Sequence, residues 1–245
     1  MAAAGELRHD RAMASRFALI AAPLLLALTA AKPAPRPAAP PPPPPDRVDV
    51  LLTTELGPIT VELDGKHAPV STANFLRYVD QKRFDGIVFY RVMRLPWGTP
   101  PNGLIQAGTR GDPRRALPPI AHEPTSQTGI LHTAGTLSMA RNAPGTAAGD
   151  FSILLSDLTG LDADPASANP ELQAGFAAFG HVVAGMDTVR RIYDAPLSAT
   201  LGQGVMKGQM LEKPVRILTA RRLPPRPPTP PVPTPPVPTP PSSVP

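Results

Sequence analysis

The segment VFYRVMRLPWGTPPNGLIQAG, residues 88–108, decides how the rest of the chain is read. It opens with Val88, Phe89, Tyr90, Arg91, Val92 and Met93, a β-branched and aromatic run of the kind that forms strands. Alternation along a strand puts Phe89, Arg91 and Met93 on one face and Val88, Tyr90 and Val92 on the other. An arginine inside such a run needs a partner or a groove, because burying it unpaired is costly. After a Pro/Gly-rich loop from Pro96 to Gly103 the chain returns as Leu104-Ile105-Gln106, a second short strand ending at Ala107-Gly108. Taken alone, Arg91 reads as a surface side chain with its stem laid along the strand, and Gln106 as a polar strand end.

Working outward, Val48–Glu55 and Ile59–Leu63 are two alternating runs around Leu56-Gly57-Pro58, the pattern of a hairpin. Pro69 suits the first turn of a helix in which Ala73, Leu76 and Val79 recur at helical spacing, with Phe75 and Tyr78 beside them. Beyond residue 108, Thr136–Ala140, Phe151–Leu155, Phe176–Val183 and Val215–Ala220 read as strands, and Gly185–Tyr193 as a second helix. Many short strands with one early and one late helix suit a closed barrel, which buries both helix faces and removes the sheet edges.

The chain has 37 prolines in 245 residues and no cysteine. Nine prolines fall in residues 32–46 and thirteen in residues 223–245, which leaves 47–222 as one normally composed domain. The net charge of +5 is mostly carried by the flanks, since residues 47–222 hold 18 basic and 16 acidic side chains. No basic stripe with interleaved aromatics is present, which argues against nucleic acid as a partner. Without cysteine there is no disulfide and no thiolate zinc site.

Residues 1–31 have the pattern of a secretory signal, with Arg8, Arg11 and Arg16 ahead of the uncharged run Phe17–Ala31 and small residues at its end. Met13 offers an alternative start to Met1. The run is short of the roughly 20 residues of a membrane-spanning helix, so export to a periplasm is expected, with membrane attachment only if the signal is uncleaved. The linker 32–46 contains Pro40–Pro45, an extended polyproline spacer. The tail 223–245 repeats TPPVP at Thr229–Pro233 and Thr234–Pro238 and lacks the apolar side chains needed to pack.

Asn74-Phe75, Phe89-Tyr90-Arg91-Val92, Leu104 to Gly108, Leu137-Ser138-Met139-Ala140-Arg141, Asp150-Phe151-Ser152-Ile153, Phe179-Gly180 and Val182 to Met186 follow one another with a spacing that resembles the cyclophilin family of peptidyl-prolyl isomerases. The resemblance runs over residues 48–222. It implies a mainly β fold, a closed eight-stranded antiparallel β-barrel capped by two α-helices. It also implies a monomer that turns X-Pro bonds in unfolded or flexible polypeptides. Amide resonance sets a barrier of about 18–20 kcal/mol to that rotation. A guanidinium aimed at the prolyl nitrogen favours the twisted amide, in which the nitrogen lone pair is no longer delocalised. No nucleophile, metal or cofactor is required.

The family's catalytic arginine falls on Arg91 and its substrate-binding glutamine on Gln106. Leu104, Met139 and Leu161 are expected as apolar contacts, and Ala140, Arg141 and Asn142 as main-chain partners of an extended peptide. Departures from the family pattern concentrate in the proline pocket. The phenylalanine–methionine pair before the glutamine falls on Gly103-Leu104, a second pocket phenylalanine on Ser152, and a nearby glutamine on Asp150. The tryptophan-leucine step falls near Gly160-Leu161, and Phe176 stands where the family often has histidine or tyrosine, after an insertion over 162–175.

Trp97, the only tryptophan, either folds over the missing aromatic as an apolar wall or packs within its own loop. His67, His122, His132 and His181 have no close metal-ligand spacing. His122-Glu123 and Asp162 with Asp164 read as solvated loop groups. The thinned pocket keeps two other readings open, a proline-peptide binding or holdase module with weak turnover and a tethered envelope spacer.

Overall fold

A computed structural model describes residues 42–225; the expected signal, most of the proline linker and the tail beyond residue 225 lie outside the described residues. The strands are β1 (Arg47–Thr54), β2 (Gly57–Asp64), β3 (Val88–Arg94), β4 (Gly103–Gly108), β5 (Thr136–Met139), β6 (Asp150–Leu154), β7 (Ala178–Ala184) and β8 (Met210–Arg222). All pairings are antiparallel, and they close a barrel in the order β1-β2-β7-β5-β6-β4-β3-β8. The helices are α1 (Pro69–Asp80), the short turns α2 (Thr125–Thr128) and α3 (Pro170–Ala174), and α4 (Met186–Asp194). The two expected helices are α1 and α4; α2 and α3 were not anticipated, being too short to carry a periodicity. None of the described helices is long and apolar enough to cross a membrane.

The barrel forms because β1 and β2 alternate strictly, sending Val50, Leu52, Ile59, Val61 and Leu63 inward. They join Phe89, Val92, Ile105, Leu137, Ile153, Phe179 and Ile217 in one fully buried core. Helix α1 brings Phe75 into that core, with its ring centroid 4.9 Å from Phe84, 5.1 Å from Phe151 and 5.5 Å from Phe179. The start of α1 is capped from a distance. Glu123 is buried and its carboxylate accepts the Val70 and Ser71 N–H groups at 2.9 and 2.6 Å. This corrects the reading of Glu123 as a solvated loop group, since its partners lie more than 50 positions away. Helix α4 buries Val189, Ile192 and Tyr193, and the Tyr193 hydroxyl donates to the Asn102 carbonyl at 2.8 Å, tying α4 to the loop before β4.

Candidate active site

Strand β3 does not alternate regularly. Phe89 pairs with Ala107 and Arg91 with Gln106 on β4, so Tyr90 is an extra residue in a β-bulge. The bulge sends Phe89 and Val92 into the core and leaves Tyr90, Arg91 and Met93 outside it. The expected grouping of Phe89 with Arg91 is therefore corrected. Two polar side chains now stand side by side against Gln106, where strict alternation would have pointed one of them inward.

Arg91 donates from Nη1 to Gln106 Oε1 and from Nε to Gln209 Oε1, both at 2.8 Å. Gln106 donates from Nε2 to the Tyr90 hydroxyl at 2.7 Å, and Tyr90 donates to Asp150 Oδ1 at 3.1 Å. Asp150 also accepts the Arg110 N–H at 3.1 and 3.2 Å. These bonds have a forced direction. An ionised carboxylate can only accept, so Tyr90 must give its proton to Asp150 and take the amide hydrogen of Gln106. The carbonyl end of Gln106 is thereby aimed at Arg91. Burial pushes the Tyr90 phenol well above its ordinary value, which keeps the donor proton in place. Burial also pushes the Asp150 carboxyl up, opposed by the Arg110 backbone bond.

Burial lowers the pKa of Arg91, but a guanidinium remains charged at neutral pH. Among the described residues its hydrogen bonds go to neutral amides and no carboxylate pairs with it. The charge is oriented without being neutralised.

The neighbouring row on the sheet pairs Gln106 with Ser152 and Ser152 with Ser138. Ser138 continues to His132 Nε2 at 2.8 Å, and His132 Nδ1 meets Asp162 Oδ1 at 2.7 Å. His132 is wholly buried, and burial lowers its pKa against the pull of Asp162. The neutral ring then donates from Nδ1 to Asp162 and accepts the Ser138 hydroxyl proton. Asp162 is thus a clamp and not a solvated loop acid. With the Leu158 N–H on the His132 carbonyl at 2.8 Å, it fixes the 158–162 segment that carries Leu161.

Beside this row Leu104, Leu154 and Leu158 form a small apolar cluster of their own, extended by Met93, Leu95 and Leu161. A cavity of about 740 Å³ opens there, lined by Met93, Leu95, Trp97, Asn102, Leu158 and Leu161 among others. Of the residues expected to bind substrate, Trp97 and Leu161 line it. Arg91 and Gln106 stand outside the cavity, with Met93 and Leu104 next on their strands. Gly103 explains the missing aromatic: at φ +136° a side chain is strained, and a Cβ would collide with the Met93 carbonyl.

The remaining expected residues separate. Met139 packs in the barrel core, paired with Phe151, and does not reach the outer row. The Ala140 N–H goes to the Asp150 carbonyl at 2.9 Å and the Asn142 N–H to Thr146 Oγ1 at 3.1 Å. The Arg141 side chain is 1% exposed, with its guanidinium 4.5 Å from the Phe176 ring centroid and bonded to Glu171 at 2.8 Å and the Gly175 carbonyl at 2.6 Å. It holds Phe176 and the segment after the insertion in place. Sequence reading missed Tyr90, Gln209 and Asn102. Tyr90 needed the bulge to be seen, and Gln209 lies 118 positions from Arg91 with no local signal.

Comparison with known proteins identifies the family and the fold. The sequence model of the family described as cyclophilin type peptidyl-prolyl cis-trans isomerase/CLD matches residues 49–222. A peptidyl-prolyl cis-trans isomerase of Acinetobacter baylyi is 35% identical over 176 residues, covering 70% of this chain and 84% of that protein. Peptidyl-prolyl cis-trans isomerase A of Dickeya dadantii is 32% identical over 182 residues, covering 73% and 84%. The crystal structure of a cyclophilin type isomerase from Cryptosporidium parvum shares the fold with a TM-score of 0.55 at 19% identity, over 74% of this chain and 99% of that one. A second crystal structure of that protein, in the presence of the dipeptide Ala-Pro, gives 0.54 over 71% and 97%.

Proposed function

The chain belongs to the cyclophilin-type peptidyl-prolyl cis-trans isomerases, and from that premise we propose that Arg91 is its catalytic residue, acting on prolyl bonds of flexible polypeptides. The observation that carries this reading is the charged, un-neutralised guanidinium held by Gln106 and Gln209 at 2.8 Å each. A guanidinium has five N–H donors, and the two glutamines use Nε and Nη1, so Nη2 remains to meet substrate. As the X-Pro bond twists, the prolyl nitrogen loses conjugation and its lone pair becomes an acceptor. A donor already in position stabilises that form more than the planar amide, which lowers the barrier without any covalent step. Gln106 fixes the guanidinium and presents its amide to the substrate backbone. Leu104 and the small side chain of Ser152 border the place where the prolyl ring lies.

The sequence pattern of residues 1–31 supports export, and with it a role in folding exported polypeptides as a periplasmic monomer. Fractionation of cells carrying the full chain, and of cells carrying a chain that starts at residue 32, tests this. Export predicts that only the full chain leaves the cytoplasm.

A protease-coupled assay on a proline peptide tests the enzyme. The wild type should accelerate exchange, and Arg91→Ala should abolish the acceleration. Peptide binding without acceleration in the wild type would support the holdase reading, for which Gly103 and Ser152 in place of aromatics are the specific motive.

A further inference from the structure

A second hollow shares no residue with the Arg91 row or with the cavity beside Trp97. It is formed by Gln81, Lys82 and Arg83, which follow α1, and by Arg114 and Arg115 in the loop after β4, and has a volume of about 520 Å³. Along the chain both segments adjoin the Val88–Gly108 end of the β3–β4 pair, whereas the 95–102 loop closes its other end. Four of the five lining side chains are cationic. The acids that flank the 81–83 segment are committed elsewhere, Asp80 to Arg222 and Asp85 to Arg221. Among the described residues only Asp112 pairs with the cluster, on Arg114 at 2.9 Å. The negative end of the α1 dipole, roughly half a charge, leaves most of the excess unmatched.

The two inner guanidinium groups are held without being neutralised. Arg83 donates from Nη1 to the Arg114 and Arg115 carbonyls at 3.2 and 2.9 Å, and from Nε to Gln81 Oε1 at 2.7 Å. Arg115 donates from Nη1 to the Arg83 and Asp85 carbonyls at 2.9 and 2.7 Å. All these partners are uncharged. Among the described residues, Nη2 of Arg83 and the Nε and Nη2 of Arg115 make no hydrogen bond. The backbone supplies an independent sign. Helix α1 closes with the Arg83 N–H on the Tyr78 carbonyl at 2.8 Å and the Lys82 N–H on the Val79 carbonyl at 3.0 Å. That closure puts residue 82 in the left-handed region, at φ 55°, where glycine is the usual occupant. A lysine there gives up the ease glycine would bring and adds a cation to the hollow.

We propose that this hollow is a binding site for two or three clustered phosphate groups, held by Lys82, Arg83 and Arg115 with Arg114 at the rim. The free Nε–Nη2 edge of Arg115 matches two oxygens of one phosphate, and the Arg83 Nη2 and the Lys82 ammonium meet its neighbour. A single carboxylate would leave most of the four cations unpaired. A volume of about 520 Å³ exceeds what one phosphate fills, which sets the number of groups. A soluble oligophosphate and adjacent headgroups of an anionic phospholipid surface offer the same oxygens, and the test separates them.

Calorimetric titration of the full chain with sodium tripolyphosphate at low salt should show one saturable site, with pyrophosphate weaker, orthophosphate weaker still, and affinity falling as salt is added. Lys82→Gly removes a cation and relieves a left-handed residue, so tripolyphosphate affinity should drop about fivefold while the melting temperature holds or rises. The Arg114 side chain is 88% exposed, and Arg114→Gln should weaken binding about as much. Arg190→Gln removes an exposed cation from α4 and should leave the affinity unchanged. Co-sedimentation with phosphatidylglycerol vesicles but not phosphatidylcholine vesicles, displaced by tripolyphosphate and lost in Lys82→Gly, would support the site with headgroups as the source. Calorimetric binding without co-sedimentation would support it with a soluble oligophosphate. No saturable heat with tripolyphosphate would overturn the proposal. So would an affinity that Lys82→Gly and Arg114→Gln both leave within twofold of wild type, or tighter binding of tetraglutamate than of tripolyphosphate. None of these readouts passes through Arg91, so the site stands or falls independently of the isomerase.

Discussion

Arg91 is oriented by a chain of groups whose donor and acceptor roles cannot be exchanged freely. Asp150 fixes Tyr90, Tyr90 fixes the Gln106 amide, and Gln106 fixes the guanidinium. Tyr90→Phe removes one hydroxyl and leaves the buried Gln106 amide hydrogen unmatched, at a cost of about 1–3 kcal/mol, while Asp150 keeps the Arg110 N–H. It is expected to lower kcat/KM about tenfold together with a loss of thermal stability. In a Gln106→Ala background the same substitution should cost little kcat/KM, and a double-mutant cycle on the peptide assay checks this. Arg91 and Gln106 were legible in the sequence because each stands in a short motif of fixed spacing. Asp150 was legible as a position but not as the anchor of Tyr90. That role depends on a bulge, which period-two reasoning has no means of placing. Gln209 was invisible, since only the closing of the barrel brings it to Arg91.

At the level of elements, the site depends on one irregular strand and one clamped loop. The bulge in β3 sets the outer row, and His132 pins the 158–162 segment through Asp162. Burial holds the pKa of His132 below 6.5 in the folded chain, so the unfolded chain takes up its proton more readily. Its contribution to stability is fully present above that value and is lost as the pH falls through it. Between about pH 7 and about pH 5 the melting temperature should therefore fall further in the wild type than in His132→Gln. Asp150, whose carboxyl is raised, pulls the other way in both proteins, and the difference between the two melting curves isolates His132. The strands and the two long helices were readable from periodicity, as in the alternation of Val50, Leu52 and their partners on β2. The short helices were not, and neither was the Glu123 cap on α1, whose partners are remote in sequence.

For the whole molecule, the barrel and the proline-rich flanks are separable in composition. The family model matches residues 49–222 and ends before the tail, so deleting residues 223–245 should leave kcat/KM within about twofold of the full chain. A larger loss would give the tail a share in the reaction. Closure of the barrel was foreseeable from many short strands with helices fore and aft; the cavity was not, because the loop that walls it has no periodicity and Trp97 alone did not say which way it packs. The central claim, that one oriented guanidinium lowers the barrier to prolyl rotation, is tested most directly by the cis–trans exchange rate of a saturating proline peptide, measured by NMR exchange spectroscopy with wild type and Arg91→Ala. The account predicts a fall of about 10²–10³-fold in the bound exchange rate with peptide affinity little changed; an Arg91→Ala rate within a few-fold of wild type would contradict it.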